Sequence, residues 1–263
     1  MSARPRRRSL AGHVVLVTRP AAQSETLVEA LDRRGATALL APSIEIVPIR
    51  SSALTRALRD LTAGTYAWIT LTSRAAVEML ASRLAGPDDV HARVAAIGDG
   101  TAAAFRVWSG RDPDLVPPTF TTAGLARAFP RGSGRILCAR ADIAPEGLEA
   151  AIAAKGWTPM RVDAYRTRMP RTLPREARDT LRAGGVDAVT FTSASTVRGF
   201  VGALGPMKGS PKVVCIGPVT AREARAHGLI VHAVARPHTI DGLIAALERV
   251  LAPRQERPGR TPG

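Results

Sequence analysis

Short runs of apolar, β-branched residues alternate along most of the chain with stretches in which apolar positions recur every three or four residues, which is the pattern of strands and helices in turn. The run at 13–18, H-V-V-L-V-T, reads as a buried parallel strand, followed by a helix over 23–34 that Gly35 ends and by a strand over 36–41. Further strands are expected at 66–71, 93–97, 135–139, 188–191, 213–216 and 230–234, with a short one around 115–116. Helices are expected over 52–62, 74–84, 101–109, 122–129, 145–155, 173–183, 195–204, 219–227 and 239–251. Strand and helix alternate throughout, the signature of an α/β protein whose parallel sheets are covered on both faces. Two extended segments fenced by proline interrupt it, P-S-I-E-I-V-P-I at 42–49 and M-R-V-D-A-Y-R-T-R-M-P at 160–170. Lying at matching points, they are expected to pair as a two-stranded link.

The pattern repeats itself. V-T-F-T-S-A-S-T-V (189–197) and V-C-I-G-P-V-T-A-R (214–222) have earlier counterparts in I-T-L-T-S-R-A-A-V (69–77) and A-A-I-G-D-G-T-A-A (95–103). V-L-V-T-R-P (15–20) matches I-L-C-A-R-A (136–141), Gly35 matches Gly156, and T-T-A-G-L (121–125) matches T-I-D-G-L (239–243). An offset of roughly 120 residues is too long for a solenoid repeat and suits one whole α/β module. Two modules present two rows of strand ends, and ligands of open α/β sheets bind beyond such ends, so a cleft between the modules is expected.

Composition adds limits. With 263 residues, 45% of them hydrophobic, the chain is long enough for two modest cores. No apolar run approaches the roughly 20 residues of a membrane span, and a soluble cytoplasmic protein is expected. Cys138 and Cys215 fall in strands and read as buried reduced thiols. The formal charge of +15 raises nucleic-acid binding as a question. Part of the excess sits in Arg4, Arg6, Arg7 and Arg8 and in Arg254, Arg257 and Arg260, the rest is spread along helices, and no helix-turn-helix or aromatic-rich strand goes with it. The charge is therefore read as an arginine-biased surface or as steering for a small polyanion. The ends, 1–11 and 252–263, are expected to be unstructured.

Several chemistries find no support. There is no G-x-x-x-x-G-K-[ST] loop, Ala103 stands where a dinucleotide fingerprint would place its third glycine, the five histidines lack metal-ligand spacing, and no G-x-S-x-G elbow occurs. What remains at the strand ends is hydroxyl and backbone: Thr72, Ser73, Thr101, Thr192, Ser193, Ser195, Thr220 and Thr239. Each of these serves equally as an ordinary helix cap. Their recurrence in both copies favours a site for an anion with many carboxylates, because one helix end stabilises an anion by only about 0.3–1 kcal/mol.

In order and spacing, V-L-V-T-R-P, L-T-S-R-A-A-V, A-I-G-D-G-T-A, V-D-A-Y-R-T, V-T-F-T-S-A-S-T-V, C-I-G-P-V-T-A and H-T-I-D-G-L resemble uroporphyrinogen-III synthase over about residues 12–251. The resemblance implies two flavodoxin-like parallel-sheet domains joined by a two-stranded β-ladder: 12–41 with 170–251, then 50–159, with 42–49 and 160–169 as the ladder. That boundary cuts across the duplication, since 135–155 would complete the middle domain. The implied reaction closes hydroxymethylbilane, a linear tetrapyrrole with eight carboxylates, to uroporphyrinogen III with loss of water and inversion of the last ring, without cofactor or metal. Implied partners are this substrate and a transient hand-over from hydroxymethylbilane synthase, with the protein a monomer and neither a membrane nor a nucleic acid involved.

The implied catalytic residues are Tyr165, Thr101 and Thr220. Implied substrate contacts are Thr18, Arg19, Thr72, Ser73, Arg74, Gly98, Thr192, Ser193, Ser195, Gly217 and Thr239. Arg74 departs from the proline many members carry after Thr-Ser, which suggests a further carboxylate contact. Tyr165 is equally readable as a packing residue. A protein that binds a tetrapyrrole or another polyanion without turning it over remains the alternative.

Overall fold

The computed structural model describes residues 9–205 and 209–251. Its strands are β1 (Val14–Val17), β2 (Thr37–Leu40), β3 (Glu45–Pro48), β4 (Trp68–Leu71), β5 (Arg93–Ala96), β6 (Arg135–Ala141), β7 (Thr158–Arg168), β8 (Ala188–Phe191), β9 (Lys212–Cys215) and β10 (Val231–Val234). Its helices are α1 (Glu25–Asp32), α2 (Ser52–Thr62), α3 (Arg74–Arg83), α4 (Asp99–Ser109), α5 (Thr122–Ala128), α6 (Leu148–Ala153), α7 (Arg175–Ala183), α8 (Ala194–Ala203), α9 (Pro218–Ala226) and α10 (Ile240–Leu251). The chain divides into two compact units, one of Met1–Glu45 with Met169–Gly263, the other of Ile46–Arg168.

In the first unit the sheet runs β10-β9-β8-β1-β2, every neighbouring pair parallel. Counted within the unit this is the order 5-4-3-1-2 of flavodoxin-like sheets. Alternation along each strand sends side chains to opposite faces. Leu16, Val189, Phe191, Val213 and Cys215 pack with Leu181 of α7, Phe200 of α8 and Ala224 of α9. Val15, Val17, Ala188 and Val214 pack with Leu27 and Leu31 of α1 and Leu243 and Leu247 of α10. With both faces covered, the apolar runs of the sequence have their reason.

The second unit's sheet runs β3-β7-β6-β4-β5, with β7, β6, β4 and β5 mutually parallel. Through the sequence matches, β7-β6-β4-β5 repeats β2-β1-β8-β9, yet here the chain enters at β4 and reaches β6 last but one. The spatial order is kept while the sequence order is rotated. α2 shows why its segment is helical: Leu54, Ala57, Leu58 and Leu61 form one buried stripe, and the Ser51 hydroxyl accepts the Leu54 N–H at 3.1 Å as the cap.

The duplication extends to backbone detail. Gly35 and Gly156 sit at φ 80° and 98°, left-handed values that close a helix cheaply only with glycine. Gly124 and Gly242 occupy matching first turns, where a Cβ would meet the carbonyl oxygen of Thr119 or of Pro237 at 1.9 Å.

Several expectations are corrected. The lead was expected to be unstructured to residue 11, but Leu10 is fully buried and its N–H donates to the Arg34 carbonyl at 3.0 Å, so order begins by residue 9. Residues 1–8 and 252–263 of the expected tails lie outside the described residues. The helix expected from 145 starts only at Leu148, because Gly147 takes φ 112° before it. The short strand near 115 is a single bridge, Ala95 to Leu115. The segment 160–169, expected to pair with 42–49 as a two-stranded link, lies largely in β7, which has β3 as one neighbour but also pairs with β6 from Thr158 to Tyr165 and so belongs to the second unit's sheet. Among the described residues no helix is long and apolar enough to cross a membrane.

Candidate active site

Parallel strands end at the same edge of a sheet, so in each unit the expected hydroxyl turns fall along one edge. In the second unit β4 runs into Thr72 and Ser73, and Ser73 caps α3 by accepting the Ala76 N–H at 3.1 Å. In the first unit β8 runs into Thr192 and Ser193, and Ser193 caps α8 by accepting the Thr196 N–H at 3.2 Å. The two serines have nearly the same backbone angles, φ −165° and −161°. Thr72, Ser73, Arg74, Thr192, Ser193 and Ser195 are all half-buried.

Gly98 and Gly217 begin α4 and α9 and bring no side chain to cap them. Thr101 and Thr220 lie in the first turns of these helices, buried to 6% and 4% exposure. Beside each glycine lies a ring that no local motif marks. A Cβ on Gly98 would collide with the Phe120 ring, 2.7 Å from Cγ, while His238 stands 3.7 Å from the same point on Gly217. Phe120 and His238 precede the matching caps Thr121 and Thr239, whose hydroxyls accept from Gly124 at 2.9 Å and Gly242 at 3.2 Å. Thr18 is different: fully buried, it donates to the Thr190 carbonyl at 2.7 Å and ties β1 to β8, so its hydroxyl is already engaged. Arg19 follows it at the strand end, half-buried.

Tyr165 belongs to this edge because β7 carries a bulge. Arg140 of β6 pairs with Asp163, but the next residue, Ala141, pairs with Tyr165, leaving Ala164 extra. The inserted residue breaks the alternation, so Val162, Ala164 and Tyr165 all enter one core cluster. The ring is thereby aimed at α3, and the Tyr165 hydroxyl lies 2.7 Å from Ser73 Oγ. Burial pushes the phenol above its usual range, and the hydrogen bond with Ser73 pulls it back in part.

A second feature was missed. Arg140, at the end of β6, is 1% exposed; its Nη1 lies 3.0 and 3.1 Å from the two carboxylate oxygens of Glu149 on α6, and its Nε is buried without a partner. The signal was present, since a strand residue two beyond Cys138 and four beyond Ile136 shares their buried face. Among the described residues no cluster of three or more His, Cys, Asp or Glu could hold a metal.

Comparison with known proteins decides the family. The family described as Uroporphyrinogen-III synthase HemD matches residues 25–245. The chain belongs to the uroporphyrinogen-III synthase family. It is 30% identical over 256 residues to the uroporphyrinogen-III synthase of Synechococcus elongatus, covering 91% of this chain and 96% of that protein. It is 34% identical over 253 residues to a putative uroporphyrinogen-III synthase of Methanothermobacter thermautotrophicus, covering 88% and 96%. Among solved structures it resembles a mutant uroporphyrinogen III synthase from Thermus thermophilus, with a TM-score of 0.64 at 22% identity over 91% of this chain and 98% of that one. The uroporphyrinogen-III synthetase of Helicobacter pylori gives a TM-score of 0.58 at 14% identity over 90% and 99%. At such identities the structural likeness speaks for the α/β fold with its two parallel-rich sheets. Membership of the uroporphyrinogen-III synthase family makes the chain an enzyme of tetrapyrrole biosynthesis, a cyclising lyase.

Proposed function

We propose that this chain converts hydroxymethylbilane to uroporphyrinogen III with Tyr165 as the proton donor to the departing hydroxyl and with the strand-end turns of both units as carboxylate ligands. The terminal C–O bond breaks with its electron pair on oxygen. The Tyr165 proton lets that oxygen leave as water, while the pyrrole nitrogen stabilises the carbon left behind. The proton released when the attacked ring carbon regains aromaticity restores the phenol. The protein's own contribution is then orientation, which governs which carbon is attacked.

The observation carrying this reading is the 2.7 Å bond that holds the Tyr165 hydroxyl at the capped start of α3, among the Thr-Ser turns. A phenol is protonated at neutral pH and so has a proton to give, although burial, by raising it, makes that proton harder to release. Thr72, Ser73, Arg74 and the backbone after Gly98 would serve acetate and propionate groups in one unit. Thr192, Ser193, Ser195, Thr239 and the backbone after Gly217 would serve them in the other. Arg74 supports this, because a cation in the first turn of a helix opposes the helix dipole and is relieved by a bound anion. Thr101 and Thr220 line the first turns of α4 and α9 on this reading. Thr18 and Arg19 would act from the end of β1, Thr18 by holding the edge rather than by touching substrate. We take β3 and the far part of β7 as the ladder joining the units, and the working protein as a cytoplasmic monomer supplied by hydroxymethylbilane synthase.

Isomer analysis tests the reading. Hydroxymethylbilane closes spontaneously to the type I product, so an excess of type III requires catalysis. The intact chain is expected to give type III, and Tyr165→Phe to lower kcat by about a hundredfold, the lower range for loss of a general acid. Type I alone from the intact chain would mean a protein that binds without turnover, and an unchanged kcat in Tyr165→Phe would remove the tyrosine from the chemistry.

A further inference from the structure

We infer that Ser73 is a positioning residue for Tyr165, donating its hydroxyl proton to the phenol oxygen so that the proton of Tyr165 is left to point at substrate. The inference rests on the reading of Tyr165 as proton donor and revises the role of Ser73 from carboxylate ligand to orienter.

Either hydroxyl of the Ser73–Tyr165 pair can donate. Ser73 Oγ has two described partners, the Ala76 N–H at 3.1 Å and the Tyr165 hydroxyl at 2.7 Å. An N–H only donates, so the serine oxygen accepts there and its own proton has one described acceptor, the phenol oxygen. The reverse arrangement would make Ser73 accept twice and leave its proton without a described partner. Either arrangement leaves one O–H without a described partner, and only the one in which Ser73 donates leaves the Tyr165 proton for substrate. The capping bond fixes Oγ against the first turn of α3, and the bulge at Ala164 with its packed neighbours fixes the ring, so donor and acceptor are each held from a different element.

The duplicated unit supplies an internal comparison. Ser193 has the same place, backbone and capping duty, but its oxygen meets Ser195 Oγ at 2.9 Å and sits in a capping box with Thr196. Capping alone therefore needs no tyrosine, and the 92-residue reach from Ser73 to Tyr165 is a feature of one unit only.

The test is steady-state kinetics on Ser73→Ala, Tyr165→Phe, the double variant and Ser73→Thr, with Ser51→Ala as the control that loses a similar cap on α2. Ser73→Ala is expected to lower kcat about ten- to a hundredfold, the scale of a misplaced catalytic group, with KM within about twofold of the parent. It should cost nothing further in the Tyr165→Phe background. Ser73→Thr should restore most of kcat, and Ser51→Ala should retain it. A raised KM at unchanged kcat in Ser73→Ala would make the serine a substrate ligand, and losses that multiply in the double variant would make the two residues independent; either overturns the inference. If Tyr165→Phe is slow while Ser73→Ala runs at the parental rate, the Ser73 role alone fails. If Tyr165→Phe itself is unimpaired, the reading of Tyr165 fails first and the inference with it.

Discussion

Replacing Glu149 by glutamine removes one charge from the most buried ion pair of the second unit. Arg140 is left with 2% of its side chain exposed and no carboxylate opposite Nη1, while its Nε already lacks a partner. Breaking a buried pair from one side costs about 3–5 kcal/mol. The Glu149 side chain keeps 18% exposure, so water reaches that side of the pair and the lower end, about 3 kcal/mol, is the expected loss. At a slope of about 1.5 kcal/mol per molar urea, the midpoint falls by about 2 M. Tryptophan fluorescence reads this unit alone, because all three tryptophans, Trp68, Trp108 and Trp157, lie within Ile46–Arg168. Changing both partners together, Arg140→Met with Glu149→Leu, should return stability to near the parent value, since an apolar pair needs no desolvated charge. A loss under about 1 kcal/mol in Glu149→Gln, or a double variant weaker than the single, would refute the dependence of the guanidinium on this carboxylate.

Burial pushes the Cys138 thiol up to about 11 and the Cys215 thiol up to about 12, so an aromatic disulfide reagent at pH 8 should label neither in the native protein and both after unfolding. The Tyr66 and Tyr165 phenols are both raised above 10, chiefly by burial. For groups raised in the folded state, the stabilisation is whole below the unfolded values, 9.0 for the thiols and 10.0 for the phenols, and is lost as pH climbs through the folded values, so urea midpoints should begin to fall near pH 9 and fall further beyond pH 10, and a flat profile from pH 8 to 12 would contradict the burial. Arg74→Ala should raise KM several-fold with kcat little changed, and an unaltered KM would count against its carboxylate contact.

The parts that could be read from the residues were those in which neighbours in sequence determine the outcome. A strand, a Thr-Ser turn and a capped helix occupy a dozen consecutive residues, so the turns at Ser73 and Ser193 and the matching glycines were visible beforehand. The bulge was not, because the adjacent Ala164 and Tyr165 in V-D-A-Y-R-T also fit a regular strand that turns its tyrosine to the other face, and only pairing with β6 shows that Ala164 is extra. Leu10 reads as part of a basic tail, since a single leucine after four arginines carries no period, yet it reaches a core built from α1 and α10. Phe120 and His238 escaped for a similar reason: each acts across more than twenty positions on a glycine that local patterning marks only as a turn.

The nesting of one unit inside the other sets an order of events during synthesis. Leu16 and Thr190, joined by a hydrogen bond between β1 and β8, are 174 positions apart. A ribosome adding about 5–20 residues per second needs roughly 9 to 35 seconds to cover that distance. For that interval the first β-α-β segment waits with an open central strand while Ile46–Arg168 emerges entire, so the inserted unit is the first that can complete its sheet, and the amino-terminal segment is the one exposed to mispairing.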